Sequence, residues 1–342
     1  MRVIPLGVNM QIIALAGGFG TRLRPWTNHL AKPLLPLLDK TLLEQVVHSL
    51  PDDMIDEVII AAGYGIEQMR NYFSEREYPF KITIVEEKEP LGTGGAIANC
   101  RSHLTGTFAV MNADLISSLK LDEMLKFHKS QGGIATISLW EVEDPTRFGI
   151  AELDSGGNIL RFKEKPTIEE AFSRLINAGA YILEPEIFDY MPDGPHSIER
   201  DVYSKIAPLK LLNGFPFEGY FVDAGTPSSW LEAMRVSIVN NRWVSGNMSN
   251  SSWFADMDED LSSECKVVNS AIGKGVSFGK GVEIKDTYIM DGAKIGSNSS
   301  ISGCLIGKGA EIGEGVNLTN AIVDFGVVIL SNEIEEGVHH YD

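Results

Sequence analysis

A glycine-rich turn followed by basic side chains lies near the start of the sequence, and this combination suits the binding of phosphate. The stretch IALAGGFGTRLRP, residues 13–25, joins an apolar run to three glycines in four positions. Glycine lets backbone N–H groups approach phosphate oxygens closely, and Arg22, Arg24 and then Lys32 add positive charge. The spacing is neither GxxxxGKS/T of a P-loop nor GxGxxG of a dinucleotide-binding turn, and such a turn can also simply reverse the chain.

The elements that must position this turn alternate between short apolar runs and amphipathic runs over residues 11–240. QIIALA, EVIIAA, KITIV and TFAVMNAD have the composition of strands, and TLLEQVVHSL has the apolar spacing of a helix face. Such alternation predicts an α/β domain with a mostly parallel sheet. Ligands bind such sheets at the carboxyl ends of the strands, which is where the glycine-rich turn and Asn112-Ala113-Asp114 fall.

The C-terminal part of the chain repeats every 17 residues from residue 271 onward. The copies are AIGKGVSFGKGVEIKDT, YIMDGAKIGSNSSISGC and LIGKGAEIGEGVNLTNA, followed by the partial copy IVDFGVVIL. Large apolar residues fall six apart within each copy, and Gly275, Gly292, Gly309 and Gly326 share one slot. This pattern predicts a three-sided β-solenoid with tight corners of positive φ, whereas a glycine-rich linker lacks periodic apolar residues.

Composition restricts the class of protein. The 342 residues exceed one typical domain, and the net charge of −18 argues against nucleic acid or an anionic membrane as a partner, though not against a small phosphate ligand. Cys100, Cys265 and Cys304 show no CxxC spacing, which favours a reducing compartment without structural zinc. The sequence has no membrane-length apolar run, and residues 1–9 lack a signal-peptide core. We therefore expect a cytoplasmic protein.

Eight motifs in order resemble the signature of the sugar-1-phosphate nucleotidylyltransferases, also called nucleotide-sugar pyrophosphorylases. The resemblance covers residues 11–235 and is closest to the mannose-1-phosphate guanylyltransferases. The motifs are LAGGFGTRLRPWT with KPLLPL, EPLGTGGAI (89–97), NADLI (112–116), RFGIAELD (147–154), FKEKP (162–166), NAGAYIL (177–183), SIERDV (197–202) and FVDAGTPSSWLEA (221–233).

The resemblance implies a fold and a reaction. The fold is α/β, with a Rossmann-like, mostly parallel mixed sheet of the nucleotide-diphospho-sugar transferase type, followed by a short left-handed parallel β-helix of hexapeptide repeats. The reaction joins a nucleoside triphosphate to a sugar 1-phosphate by Mg²⁺-assisted in-line attack and releases pyrophosphate. The predicted parts are an N-terminal extension (1–9), the catalytic domain (10–240), a connection (241–266), the β-helix (267–330) and a tail (331–342).

The same resemblance implies the site residues. The metal ligands would be Asp114 and Asp223, and the catalytic set adds Arg22, Lys32 and Lys165 to them. The residues implied to bind the nucleotide are Leu15, Ala16, Gly17, Gly18, Gly20, Thr21, Arg22, Lys32, Glu87, Gly92 and Thr93. Those implied to bind the sugar phosphate are Gly149, Glu164, Lys165, Asn177 and Gly179.

Some of these residues also have plainer interpretations. Outside its motif, each aspartate would be a helix cap or a turn residue. The KEK run that holds Lys165 would be a solvated surface, and Lys163 keeps that interpretation. Glu199 and Asp201 lie near the site in the family pattern, and either could be structural.

The base and the sugar are less constrained by the sequence. A carboxylate at Glu87 could accept from guanine N1–H and its exocyclic amine, or from N3–H of uracil or thymine, whereas adenine and cytosine offer no such ring donor. Overall likeness favours GTP and mannose 1-phosphate. Glucose-1-phosphate thymidylyl or uridylyl transfer and heptose-1-phosphate guanylyl transfer remain alternatives.

Two other functional classes can be weighed. A non-catalytic regulatory subunit that binds a nucleotide-sugar could lose a metal carboxylate or a phosphate-binding cation, and this chain retains all five catalytic candidates. A solenoid acyltransferase usually needs a histidine base in its coils, and His339 and His340 lie beyond the repeats. We therefore expect the β-helix to serve assembly, as in a homo-oligomer, or regulation.

Overall fold

The computed structural model describes residues 10–48, 50, 54–256, 265–337 and 339–340. The predicted extension 1–9 and parts of the predicted connection and tail lie outside the described residues, as do the side chains of His339 and His340. The chain forms two compact units. The first unit comprises Met1–Gly18 and Val46–Phe221, and the second comprises Phe19–Gln45 and Val222–Asp342. The boundary between them therefore falls inside the glycine-rich turn, and the predicted domain limits stay a prediction.

A nine-stranded mixed sheet forms the centre of the first unit. Its strands are β1 (Met10–Leu15), β2 (Ile55–Ala62), β3 (Lys81–Glu86), β4 (Phe108–Asn112), β5 (Ala135–Glu141), β6 (Gly149–Leu153), β7 (Ile159–Glu164), β8 (Leu175–Leu183) and β9 (Leu212–Pro216). Their spatial order is β7-β6-β8-β4-β1-β2-β3, with β5 pairing to β8 and to β9.

The part of this sheet that carries the first motif is parallel. Strand β1 pairs in parallel with β2 and with β4, and β2 pairs in parallel with β3. Strand β8 runs antiparallel to β4, β5 and β6. The predicted mostly parallel mixed sheet is thereby confirmed.

Helices cover this sheet and bury an apolar core that includes Ile13, Ile59 and Val110, all fully buried. Because both faces of the central strands are covered, these strands carry continuous apolar runs, such as residues 12–15 of β1 and 58–62 of β2, which is the pattern that the sequence shows. The longer helices of this unit are Ile66–Ser74, Gly92–Asn99 and Leu121–Gln131. Its shorter helical turns are Arg101–His103, Ile168–Glu170, Pro185–Tyr190, Glu199–Tyr203 and Ser204–Ile206.

The second unit contains a β-helix of three sheets, whose strands pair in parallel except for Asn247–Ser249, which is antiparallel to Ser252–Phe254. Partner residues in neighbouring coils are 17 apart, as in the series Ile272, Ile289, Ile306 and Val323. The corner glycines of the repeat have φ between 64° and 71°. The 17-residue coil and the parallel β-helix are therefore confirmed, and the arrangement fits the left-handed type.

The three sheets stack short strands along the solenoid. The first holds Asn247–Ser249, Ser252–Phe254, Ala271–Ile272, Tyr288–Ile289, Leu305–Ile306, Ile322–Val323 and His339–His340. Because His339–His340 pairs in parallel with Ile322–Val323, both histidines belong to this sheet, and the expectation that they lie beyond the coils is wrong. The second holds Lys266–Val268, Glu283–Lys285, Ser300–Ser302, Asn317–Thr319 and Ile334–Glu336. The third holds Ser277–Phe278, Lys294–Ile295, Glu311–Ile312 and Val328–Ile329.

The segment Phe19–Gln45 belongs to the second unit. A capping box at Thr41 and Glu44 starts the helix Leu42–His48: the Thr41 N–H donates to Glu44 Oε2 at 2.8 Å. The segment's other elements are the short turns Thr21–Leu23, Trp26–His29 and Lys32–Leu34 and the hairpin strands Pro36–Leu37 and Lys40–Thr41. The helix Pro227–Val239 follows the strand Phe221–Asp223.

Two of the three cysteines are buried in the structure. Burial raises the pKa of the Cys100 thiol to about 12 and that of the Cys304 thiol to about 11, so both stay neutral at physiological pH.

Within the described part of the chain, no helix has the length and apolar character needed to cross a membrane.

Candidate active site

A cavity of about 860 Å³ opens in the first unit at the ends of β4, β6, β7 and β8. Its volume falls within the range usual for small-molecule sites. Its lining includes all five residues implied to bind the sugar phosphate, together with Gly92, Thr93, Glu199 and Asp201. The structure therefore brings together residues from five separate motifs of the sequence.

The start of β6 and the end of β7 meet at the wall of this cavity. Gly149 pairs with Glu164 in antiparallel register. A Cβ added to Gly149 would lie 2.7 Å from Glu164 Oε2 and would also collide with the Phe162 ring. Position 149 thus requires glycine for packing within the chain itself, apart from any contact with a sugar.

Lys165 has a strained backbone and an exposed side chain. Its φ is 46°, in the left-handed region that costs about 1–2 kcal/mol for residues with a Cβ, and its N–H donates to Phe148 O at 2.9 Å. The ammonium lies 3.7 Å from Glu164 Oε1, and its side chain is 67% exposed. Strain of this kind persists where the surroundings impose it, commonly at functional sites, and here it directs a cation toward the cavity lining.

Glu164 is the less exposed member of this pair. Burial and the nearby Glu199 carboxylate raise the pKa of Glu164, while Lys165 and Arg200 oppose the rise. The lining therefore carries two acidic groups close enough to affect each other, beside the cations Arg147, Lys165 and Arg200. This mixture suits a ligand with both hydroxyl groups and a phosphate.

A hydrogen-bond network runs along β8 to Glu199. The Gly179 N–H donates to Asn177 Oδ1 at 2.9 Å, and Asn177 Nδ2 donates to the Tyr181 hydroxyl at 3.0 Å. That hydroxyl donates to Glu199 Oε1 at 3.1 Å. Burial, reinforced by Glu199, raises the pKa of Tyr181 far above its ordinary value, so the hydroxyl stays a donor.

The second oxygen of Glu199 receives donors from two other segments. Thr93 Oγ1 and Ser197 Oγ each donate to Glu199 Oε2 at 2.6 Å. Thr93 Oγ1 also accepts from the Ile198 N–H at 3.1 Å. Glu199 thus links the start of the helix Gly92–Asn99 to β8, and this supports a positioning role for it.

Replacing Tyr181 by phenylalanine should destabilise the protein by about 1–3 kcal/mol, because half-buried Asn177 and buried Glu199 each lose a partner. Urea unfolding followed by circular dichroism measures this loss. Tyr190→Phe is the matched control, since Tyr190 packs against the same core without taking part in the network. Equal stability of the two variants would contradict the importance of the network.

The stretch Leu91–Gly95 packs closely against the segment around His196. The Gly94 and Gly95 N–H groups donate to His196 O at 3.0 and 3.3 Å, and the His196 N–H donates to Leu91 O at 2.9 Å. Gly92 has a φ of 71°, and a Cβ there would lie 2.6 Å from His196 O. Gly92 is thus required by packing, and its implied contact with a nucleotide stays a prediction.

Glu87 lies beside the first glycine of the turn that follows β1. A Cβ added to Gly17 would lie 2.8 Å from Glu87 Oε1. The Glu87 carboxylate also accepts from the Leu91 N–H at 3.4 Å, and burial raises its pKa. Leu15 ends β1, and Ala16 follows it. The Ala16 N–H donates to Ala61 O at 2.8 Å. Gly17 and Gly18, the next two residues, are exposed.

The rest of the turn belongs to the second unit. Gly20 has a φ of 63°, and its carbonyl accepts from Thr27 Oγ1 at 2.9 Å. A Cβ on Gly20 would lie 3.0 Å from Lys32 Cβ, so the turn folds back onto the lysine. Thr21 begins the short turn Thr21–Leu23.

Arg22 and Asp223 approach the same glycine in the second unit. A Cβ on Gly225 would lie 2.6 Å from Arg22 Nη2 and 2.8 Å from Asp223 Oδ1. Asp223 ends the strand Phe221–Asp223. The structure therefore brings the implied phosphate-binding arginine to one of the two implied metal ligands.

Asp114 lies in the first unit, between β4 and the short strand Leu115–Ser117. The preceding Ala113 N–H donates to Leu15 O at 3.1 Å, which ties the Asp114 turn to the end of β1. Among the described residues, no three or more His, Cys, Asp or Glu side chains cluster as a metal site. Mg²⁺ commonly takes one or two carboxylates and completes its shell with phosphates and water, so each aspartate is a suitable ligand type. Asp114 and Asp223 belong to different units, and their shared role stays a prediction.

The lining also includes Arg147, Tyr181 and Arg200, which are not among the site residues implied by the sequence. Each lies inside a motif quoted above, so the motifs themselves contained the signal. Arginine suits phosphate recognition, which makes Arg147 and Arg200 further candidates for contact with the sugar phosphate.

The family model described as nucleotidyl transferase matches residues 11–238, and the model of the GMPPB C-terminal domain matches residues 251–337. The chain belongs to the nucleotidyl transferase family. The predicted family and enzyme class are thereby confirmed.

Individual relatives agree with this assignment. Mannose-1-phosphate guanylyltransferase 1 of Arabidopsis thaliana is 33% identical over 307 residues, covering 86% of this chain and 84% of that protein. Mannose-1-phosphate guanyltransferase of Schizosaccharomyces pombe is 37% identical over 231 residues, covering 65% of this chain and 62% of that protein. The crystal structure of HddC from Yersinia pseudotuberculosis complexed with GMP-PN is 27% identical, covers 66% of this chain and 98% of that one, and has a TM-score of 0.55.

Proposed function

We propose that this protein transfers GMP from GTP to mannose 1-phosphate, forming GDP-mannose and pyrophosphate. The observation that limits the base is the Glu87 carboxylate beside Gly17, because guanine, uracil and thymine carry a ring N–H that it can accept from, whereas adenine and cytosine do not. An ionised carboxylate there can accept from both guanine N1–H and the exocyclic amine. The GMP-PN bound to HddC and the names of the two relatives support guanine, and those names support mannose.

In the proposed reaction, a phosphate oxygen of mannose 1-phosphate attacks the α-phosphorus of GTP. A new P–O bond forms as the bond to the leaving pyrophosphate breaks, and no proton has to move. Lys165, with Arg147 and Arg200 beside it, would hold the sugar phosphate, and Glu164 would accept from sugar hydroxyls. Arg22 and Lys32 would bind the triphosphate and stabilise the charge that develops on pyrophosphate.

We also propose Mg²⁺ as the metal, held by Asp114 and Asp223. When bound, it would neutralise phosphate charge and favour the in-line geometry. We further propose a cytoplasmic homo-oligomer that assembles through the β-helix. Exposed Val328, Leu330 and Ile334 on its last coils support the assembly, and the three free cysteines support a reducing compartment.

Pyrophosphate release tests the reaction directly. GTP, UTP and dTTP are crossed with the 1-phosphates of mannose, glucose and heptose in the presence of Mg²⁺, and GTP with mannose 1-phosphate should dominate. A dominant thymidine or uridine pair would replace the proposed substrates. Silence with every pair, from folded protein that still binds a nucleotide, would favour a regulatory subunit.

Glu87→Gln should lower kcat/KM for GTP by about 10- to 100-fold, the usual effect of losing a paired contact to a base edge. The amide keeps one acceptor oxygen but places a donor where guanine also donates. Glu89→Gln is the control, because Glu89 lies two residues away and is exposed. Equal effects in the two variants would remove Glu87 from the base site.

The same residue predicts a pH dependence. Burial raises the pKa of Glu87, so its carboxyl group takes up a proton at a higher pH than an exposed glutamate. Protonation removes the charged acceptor, so kcat/KM for GTP should fall as pH decreases through this raised pKa. Glu87→Gln should abolish that acid limb, and a limb that persists unchanged would assign it to another group.

A further inference from the structure

The last copy of the 17-residue repeat has, at two adjacent positions, residue types that no other copy has there. The slot that holds Gly273, Met290 and Gly307 in earlier coils holds Asp324, and the next slot, with Lys274, Asp291 and Lys308, holds Phe325. Neither change serves the interior of the solenoid, because the large inward residue of this strand is Val323. The repeat itself therefore does not explain Asp324 and Phe325.

Both unusual residues contact the segment that follows the glycine-rich turn, within the second unit. His29 Nε2 lies 2.9 Å from Asp324 Oδ2, and the imidazole stacks on the Phe325 ring with centroids 5.1 Å apart. Asp324 is only 5% exposed. A carboxylate buried to this extent needs a partner, and His29 supplies one.

Trp26 attaches the same segment to the same coil. Its indole is fully buried, and Nε1 donates to Val323 O at 2.9 Å. The ring also meets Trp230 and Tyr288 edge to face, with centroids 6.3 and 6.2 Å apart. Tyr288, two coils earlier, donates to Pro36 O at 2.7 Å and accepts from the Leu38 N–H at 3.2 Å.

Trp26 and His29, which attach the segment to the β-helix, lie between Arg22 and Lys32 in sequence. The segment is closed on itself, since Thr27 bonds to the Gly20 carbonyl and Gly20 packs against Lys32. A shift of Trp26 or His29 would therefore shift both cations. The β-helix coil is thus placed to fix the two groups that the proposed function assigns to the triphosphate.

We propose that residues 322–325 of the β-helix hold residues 20–32 in the conformation that binds the nucleotide. The positioning residues are Trp26, His29, Asp324 and Phe325. This inference rests on the proposed function only for the identity of the ligand. It gives the β-helix a role in substrate binding in addition to assembly.

The double substitution D324G/F325K tests it, because it restores the GKG pattern of two other coils and so should preserve the solenoid. Calorimetric titration with Mg²⁺-GTP should show a Kd raised by about tenfold, as expected for losing a buried contact to a charged group. Binding of mannose 1-phosphate should be unchanged. Lys308→Ala is the control, since Lys308 occupies the exposed equivalent slot one coil earlier.

Amide hydrogen exchange distinguishes positioning from unfolding. In the double variant, exchange should accelerate in residues 20–32 and stay unchanged in residues 283–319. Trp26→Phe, which keeps a ring and loses the N–H donor, should act in the same direction. An unchanged Kd for GTP, or faster exchange throughout the solenoid, would overturn the inference while leaving the proposed function intact, whereas wild-type protein that binds no GTP overturns both.

Discussion

Asp223→Asn should lower kcat by about a thousandfold while leaving the fold intact, because it removes a metal-binding charge without changing side-chain volume. The carboxylate ends a strand and approaches Gly225 together with Arg22. Removing its charge should therefore weaken metal binding and remove a negative charge that lies near the arginine. Steady-state pyrophosphate release, measured across a Mg²⁺ titration, should show both the loss of turnover and a higher metal requirement.

The matched control for this experiment is Asp286→Asn. Asp286 lies in the same unit, 3.8 Å from Arg235, and has no place in the proposed site. Circular dichroism and thermal unfolding of both variants establish that they fold. Turnover near the wild-type value in Asp223→Asn, at ordinary Mg²⁺, would refute the assignment of Asp223 as a metal ligand.

Lys165→Ala should lower kcat/KM for mannose 1-phosphate by about a hundredfold, the usual effect of removing one charged donor from a phosphoryl-transfer site. The Lys165 side chain lines the cavity and is 67% exposed, so its loss should not disturb the core. The KM for GTP should change much less, because other cations are assigned to the triphosphate. Initial rates at varied sugar phosphate and fixed GTP measure the effect.

The neighbouring motif residue supplies the comparison for Lys165. Lys163 is two positions away, its side chain is 41% exposed, and its ammonium lies 2.6 Å from Glu170 Oε1. Lys163→Ala should therefore keep nearly full activity. Comparable losses in the two variants would indicate that the FKEKP segment acts through its general charge rather than through Lys165.

The β-helix could be predicted from the sequence because its signal is local and repeated. Each coil needs an inward apolar residue every six positions and a corner that tolerates positive φ, so the pattern shows one coil at a time. The parallel part of the sheet was also predictable, because buried strands such as β1 and β2 contain continuous apolar runs, at residues 12–15 and 58–62.

Contacts between distant segments could not be predicted in this way. The link from Thr93 through Glu199 to Tyr181 joins three parts of the chain, and none of the three has a periodic pattern that names its partner. For the same reason the sequence did not indicate that Phe19–Gln45 belongs with the β-helix. Family resemblance implied most of the cavity lining, whereas the reasons for Gly92 and Gly149 became clear only from the backbone and side chains that face them.

The two attachments of the segment after the glycine-rich turn also limit how the β-helix can change in length. Tyr288 contacts this segment from one coil and Val323 contacts it from two coils later. Neighbouring strands in a sheet are about 4.8 Å apart, so the two attachment points are separated by a fixed step along the solenoid axis. Inserting or deleting a coil between them would change that step by one strand spacing. The number of coils between Tyr288 and Val323 is therefore fixed by the length of the short segment that the two attachments hold.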